Sequence, residues 1–257
     1  MIEIIDLNLV AGIACVFMRM TGCILFNPIF SRGNFPALFR VGMTLFLTVL
    51  VVSYSEIDVD FGTGTFIETS VILVREFLIG FAMGTIVWLF MYVVLLAGAF
   101  LDLQMALSMA QMYDPTSNAQ MTISSTFFNL MFIFTFFGMN AHENMIHMFL
   151  SSAEVAPFGI ITINTDMPLH IINIFIQATI LGLRMAMPIT GMLFITQIGI
   201  GILMKAVPQI NAFVVMLQVK ILGGLLMFLA VYSPLSDFIQ NLMLLMSDAL
   251  ATVLLLV

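Results

Sequence analysis

The sequence predicts an all-α integral membrane protein built from six or seven apolar helical segments. Of 257 residues, 62% are hydrophobic and only 8% are charged, against about 25% charged in soluble domains. That is too little charge to cover a water-soluble domain. Apolar runs long enough to cross about 30 Å of hydrocarbon recur along the chain. Short stretches bearing Pro, Gly or Asn separate them.

The charge balance narrows the partners. Fourteen acids against seven bases give a net charge of -7, with no basic tract, so the chain reads as a partner of lipid membrane and not of nucleic acid. The opening MIEIIDLNLV is acidic and lacks the basic n-region of a signal peptide. The first helix is therefore expected to stay as an anchor. Cys15 and Cys23 fall eight residues apart on that helix, too far to bond to each other, and read as small apolar filler.

The elements follow in order. The first segment runs from about Leu7 to Phe26 and stops at NPIFSRGNFP, a loop holding Arg32. The second covers 37–54. After it comes SEIDVDFGTGTFIE, a hydrophilic loop with four acids and no base. Apolar character in the third runs over 71–101 and continues, rich in Met, to Met112. The fourth covers 122–138, and a shorter amphipathic piece, AHENMIHMFLSSAEVAP, follows it. The fifth, 169–204, would span about 50 Å as one straight helix, so a kink or a departure from the membrane plane is expected, with Pro188 its natural place. The sixth covers 212–232 and the last 237–257, all within one multi-helix membrane domain. Arg32 and Lys205 share a side under this count, which favours an outside N-terminus.

Charges lie where lipid would penalise them. Arg19, Arg40, Arg75, Glu76, Arg184, Lys220 and Asp248 all sit inside or at the ends of apolar segments. Each costs on the order of 3 kcal/mol at the bilayer centre unless it faces protein or water. They are grouped on faces. Asn8, Gly12, Cys15, Arg19 and Gly22 share an arc of about 80°. Asn173, Gln177 and Arg184 share a narrow face of the fifth segment. Asp237, Gln240, Asn241, Ser247, Asp248 and Thr252 form a stripe about 140° wide on the last. Glu76, Gly80 and Gly84 align, and GFAMG is a GxxxG pattern that lets helices approach closely. So many polar faces in so short a chain point to partners outside it, hence to a member of an obligate complex.

Enzyme motifs carry little weight. His142, Glu143 and His147 spell H-E-x-x-x-H, which puts the two imidazoles about 140° apart, whereas zinc proteases need an i, i+4 pair. No nucleotide-binding glycine motif occurs, and Ser124 and Ser125 have no neighbouring base in sequence. No catalytic residue, metal or cofactor is assigned. Met105, Met109, Met112 and Met121 cluster around the break at Asp114-Pro115, and methionine suits a contact that must seal yet rearrange.

Several blocks, in order and spacing, give the chain a recognisable likeness. AGAFLDLQMALSMAQMYDP (97–115), GMNAH (138–142), REFLIGFAMG (75–84) and KAVPQINAF (205–213) together resemble the FliR/SpaR/YscT family of the type III secretion export apparatus. Ala99 stands where the family often has an acid, Ala106 where it usually has Gly, and Lys205 where Arg is commoner. The resemblance implies a subunit without catalysis, in the bacterial inner membrane at the flagellar basal body. Its helices would form bent hairpins in a helical export-gate assembly with FliP-, FliQ- and FlhB-like subunits, passing unfolded substrates. It also implies a channel plug over 106–120, which includes Met109, Met112, Asp114 and Pro115, with Met105 at its edge. Gly80 and Gly84 would pack helices. Arg19, Glu76, Gln104, Arg184, Lys205, Pro208, Gln209 and Asp248 would meet other subunits, with Pro208 setting the angle of the turn. Virulence secretion is the alternative setting. A small-molecule or ion transporter is the rival class, and it would ordinarily show an inverted repeat that this chain lacks.

Overall fold

The computed structural model describes residues 7–30, 36–54, 66–107, 122–159, 166–209 and 211–256. Regular structure among the described residues is helical throughout: α1 (Leu7–Leu25), α2 (Ala37–Tyr54), α3 (Phe66–Gln104), α4 (Ile123–Gly138), α5 (Ala141–Val155), α6 (Asp166–Ala206), α7 (Ala212–Ala230) and α8 (Tyr232–Leu255). Helices α2, α3, α6, α7 and α8 are each long and apolar enough to cross a membrane, and α4 with α5 makes a sixth candidate. The chain is an all-α integral membrane protein.

Local chemistry sets the helix ends. Thr122 caps α4, its hydroxyl accepting from Ser125 N. Asn140, in the left-handed region at φ 55°, separates α4 from α5, a conformation Asn tolerates well. In KAVPQINAF, Lys205 stands in the last turn of α6, where a cation meets the negative end of the helix dipole. Asn211 opens α7 by accepting from Phe213 N at 3.2 Å. Part of that loop's polarity is thus capping chemistry. Helix α8 starts earlier than its apolar run, at Tyr232, because Pro234 falls in the first turn, where no amide partner is needed. Pro188 lies inside α6, yet the element stays one helix of 41 residues. The missing amide there leaves the Arg184 carbonyl without its usual partner.

The chain divides into two compact units, where the sequence reads as one continuous domain. Unit 1 comprises 1–89, 140–175 and 244–257. Within it α2 packs on α1 and touches α5, around buried Cys15, Met20, Ile79, Met83 and Phe149. Unit 2 comprises 90–139 and 176–243. Its core holds Val93, Val94, Phe128, Phe132, Phe136 and Ile189. Helix α7 buries little: Leu222, Leu226 and Leu229 are all exposed, an apolar face that suits lipid or another helix and not water.

Candidate functional site

Two polar centres stand out, one in each unit. In unit 1, α1 and α3 cross at glycines. A side chain on Gly80 would run into the Arg19 carbonyl and lie 2.9 Å from Cys23 N. One on Gly22 would lie 2.6 Å from both Phe77 O and Phe81 N. Gly84 is less tight, with Gly22 O at 3.0 Å. The small residues let two backbones touch, and this contact lies within one chain.

Beside the crossing, Arg19 is fully buried and reaches Glu76 of α3. Its Nε donates to Glu76 Oε2 at 2.7 Å, and Nη2 lies 2.7 Å from the same oxygen. Nη1 donates to the carbonyls of Ser152 and Ala156 at 2.8 and 2.9 Å. The guanidinium carbon lies 4.1 Å above the Phe158 ring, a cation–π contact. The other Glu76 oxygen accepts from Gly159 N at 3.1 Å. Helix α5 has no basic residue in its last turn; Arg19 supplies that positive charge from α1 and satisfies the terminal carbonyls. Desolvation makes such a pair costly unless its hydrogen bonds are filled, and here they largely are.

In unit 2 the second centre joins the end of α3 to the start of α4. Asp102, 1% exposed, accepts from Ser124 N at 2.9 Å and from the Ser124 hydroxyl. The Ser124 amide is one of the free donors at the start of α4, where a carboxylate is also favoured by the dipole. The Ser125 hydroxyl donates to Leu95 O at 2.8 Å. Gly98 permits this closeness, since a side chain there would strike the Ser125 backbone. Met105, fully buried, lays its thioether where a side chain on Gly224 would stand. It also lines an apolar cavity of about 460 Å³ with Phe127, Leu225, Phe228 and Tyr232. Ala106 follows in the left-handed region at φ 60°, which disfavours any residue with a Cβ. A glycine there would carry no such penalty.

The other sequence-predicted residues divide clearly. The expectation that the intramembrane charges lack partners within the chain does not hold for Arg19 and Glu76, which are closed on each other. Sequence separation of 57 hid that pairing. Gln104 is half-buried at the end of α3. Arg184, Lys205, Pro208, Gln209 and Asp248 are all exposed, as are Asn173, Gln177, Gln240 and Asn241. Met109, Met112, Asp114, Pro115 and Met121 lie outside the described residues. His142 and Glu143 approach to 4.0 Å at the surface, and no metal-holding group of three or more side chains occurs among the described residues. Asp102 is a residue that sequence reasoning passes over. Its signal, an acid inside an apolar run, is the same one that marks Glu76.

A family model described as bacterial export proteins, family 1, matches residues 10–246. The chain is similar to the flagellar biosynthetic protein FliR of Bacillus subtilis, 28% identical over 242 residues and covering 91% of each chain. It is 23% identical to the protein of that name from Escherichia coli, over 88% of this chain and 85% of the relative. It is 21% identical to the surface presentation of antigens protein SpaR of Shigella flexneri, over 80% and 78% respectively. With the family matched along nearly its whole length and several apolar helices, the chain is a multi-pass membrane protein belonging to family 1 of the bacterial export proteins, the FliR/SpaR/YscT group.

Proposed function

We propose that the protein is a subunit of the flagellar type III export gate in the bacterial inner membrane, where it helps form and plug the channel that unfolded flagellar proteins cross. The observation that carries this reading is the split between inward and outward polar groups on an export-family chain. Arg19, Glu76 and Asp102 are spent inside their own units. Arg184 and Asp248 are exposed on apolar helices, where lipid would penalise them. Other subunits, of FliP-, FliQ- and FlhB-like kinds, supply partners for these outward groups, and the loop bearing Lys205, Pro208 and Gln209 docks one of them. The role is structural: the protein shapes and closes a passage and performs no catalysis.

Residues 106–120 serve as the plug. Their methionines are apolar enough to exclude ions and flexible enough to yield to a passing chain. Flagellar cargo is favoured over virulence cargo by the relatives named FliR.

Extraction in mild detergent followed by purification through a tag on this chain tests the reading. The expected result is a stable complex with FliP- and FliQ-like chains. A lone, well-behaved monomer or homo-oligomer that moves ions or small molecules would replace it with a transporter.

A further inference from the structure

We propose that Lys220 receives a carboxylate carried by a membrane helix of another subunit, which docks in the groove between α6 and α7. The inference rests on the export-subunit reading above and gives the chemistry of one partner contact.

Charge calls for an anion here. Residues 176–231, the hairpin of α6 and α7 within unit 2, carry Arg184, Lys205 and Lys220 and no acid, in a chain whose net charge is -7. None of the three forms an ion pair among the described residues. Depth sets Lys220 apart. Arg184 and Lys205 bracket the uncharged run 185–204, about 30 Å of helix, so both can lie at the edges of the hydrocarbon. Lys220 stands near the middle of α7 (Ala212–Ala230), about 12 Å from its start and about 15 Å from its end. That is farther than a lysine side chain extends, so snorkelling brings the ammonium to neither lipid phosphate nor bulk water. An unpaired charge at that depth costs on the order of 3 kcal/mol.

Packing leaves room for a foreign helix. Gly224 is the one buried residue among those of α7 whose exposure is described. Lys220, Gly223 and Gly224 share one face of that helix. Met105 occupies the place of a side chain on Gly224, and Thr196 Oγ1 lies 3.9 Å from where one on Gly223 would stand. The antiparallel register of the hairpin then sets Lys220 level with Gly199 of α6, nearer the connecting loop. Gly199 is exposed, with open space where a side chain would be, and Lys220 is half-buried. The groove therefore offers a partly desolvated cation and a backbone that another helix can approach closely. A carboxylate on that helix completes the pair, whereas a Lys or Arg there would be repelled. Such a pair fixes register and partner choice more than raw affinity.

The test coexpresses the full chain with FliP- and FliQ-like chains and measures their capture through a tag on this chain in mild detergent, beside the amount of this chain in the membrane. Lys220→Met keeps an unbranched apolar stem and removes the charge. It should leave that amount native and lower capture at least about tenfold, because the partner carboxylate is left buried and unpaired. Lys220→Arg should capture at a near-native level. Lys220→Glu should fail to capture, and selection for regained export should return a partner chain with an Asp or Glu of a membrane helix exchanged. Native capture by Lys220→Met overturns the proposal and leaves the export-subunit reading standing; a native chain that captures no partner overturns both. Capture that requires added phosphatidylglycerol assigns the lysine to a lipid phosphate and overturns the proposal, as do suppressors of Lys220→Glu that spare every partner acid. Should Lys220→Met fail to accumulate, Lys220→Gln takes its place, and native capture by it overturns the proposal equally.

Discussion

Arg19 and Glu76 meet at 2.7 Å with no exposure of the arginine, and the arginine also holds two carbonyls at the end of α5. Removing either partner strands a buried charge, which costs about 3–5 kcal/mol, whereas replacing both with apolar groups of similar volume costs far less. Arg19→Met and Glu76→Met should each lower stability in detergent by roughly that amount. The double variant Arg19→Met/Glu76→Met should recover part of it. Unfolding curves of the four proteins check the coupling, and additive losses would remove the pair from the account.

Glycine positions should respond very differently to one added methyl group. Gly80→Ala places a carbon against the Arg19 backbone, which cannot move aside, and should separate α1 from α3; Gly80→Leu/Gly84→Leu should abolish complex formation. Gly42 has open space around it on α2. Gly42→Ala should therefore be neutral or stabilise by about 0.5–1 kcal/mol through helix propensity. Yields of assembled complex report the first effect and thermal melts the second.

Ala106 stands in a backbone conformation that a Cβ resists. Ala106→Gly should stabilise the folded chain by about 1 kcal/mol. A melting temperature that falls would show that the site does not hold φ near 60° in the membrane.

Outward polar groups should matter to the assembly and little to the chain itself. Arg184→Ala, Lys205→Ala and Asp248→Ala each remove an exposed side chain. They should leave the stability of the isolated protein within about 0.5 kcal/mol of native while reducing capture of FliP- and FliQ-like chains. Pull-down yields beside melting curves make the comparison, and unchanged capture by all three would remove them from the contact set.

Much of the architecture was legible in the chain because lipid imposes a simple rule. Only long apolar helices satisfy their own backbone in hydrocarbon, so the segments announce themselves by hydropathy. Their limits on α2 were readable to the residue, since the flanking loops are polar or carry Pro. The face bearing Gly12, Cys15, Arg19 and Gly22 was also visible as a set. Its direction was not: periodicity shows that residues lie together and not what they meet, and all four proved buried, Arg19 against Glu76 and Gly22 against Gly80 of the same chain. The faces on α6 and α8 look alike in sequence, yet Arg184 and Asp248 are exposed. Asp102 escaped because its partner lies beyond the methionine-rich stretch, across 22 residues. Division into two units was equally hidden, because three of its four boundaries run through the uninterrupted helices α3, α6 and α8.

The arginine that completes the last turn of α5 has a consequence for synthesis. Ribosomes deliver Arg19 and Glu76 well before Ser152 and Ala156, so the receptacle can be ready when that later turn emerges. Chain order and docking order then agree, and a rearranged gene that delivered α5 ahead of α1 would leave the end of α5 without its cation for as long as the arginine was still to come.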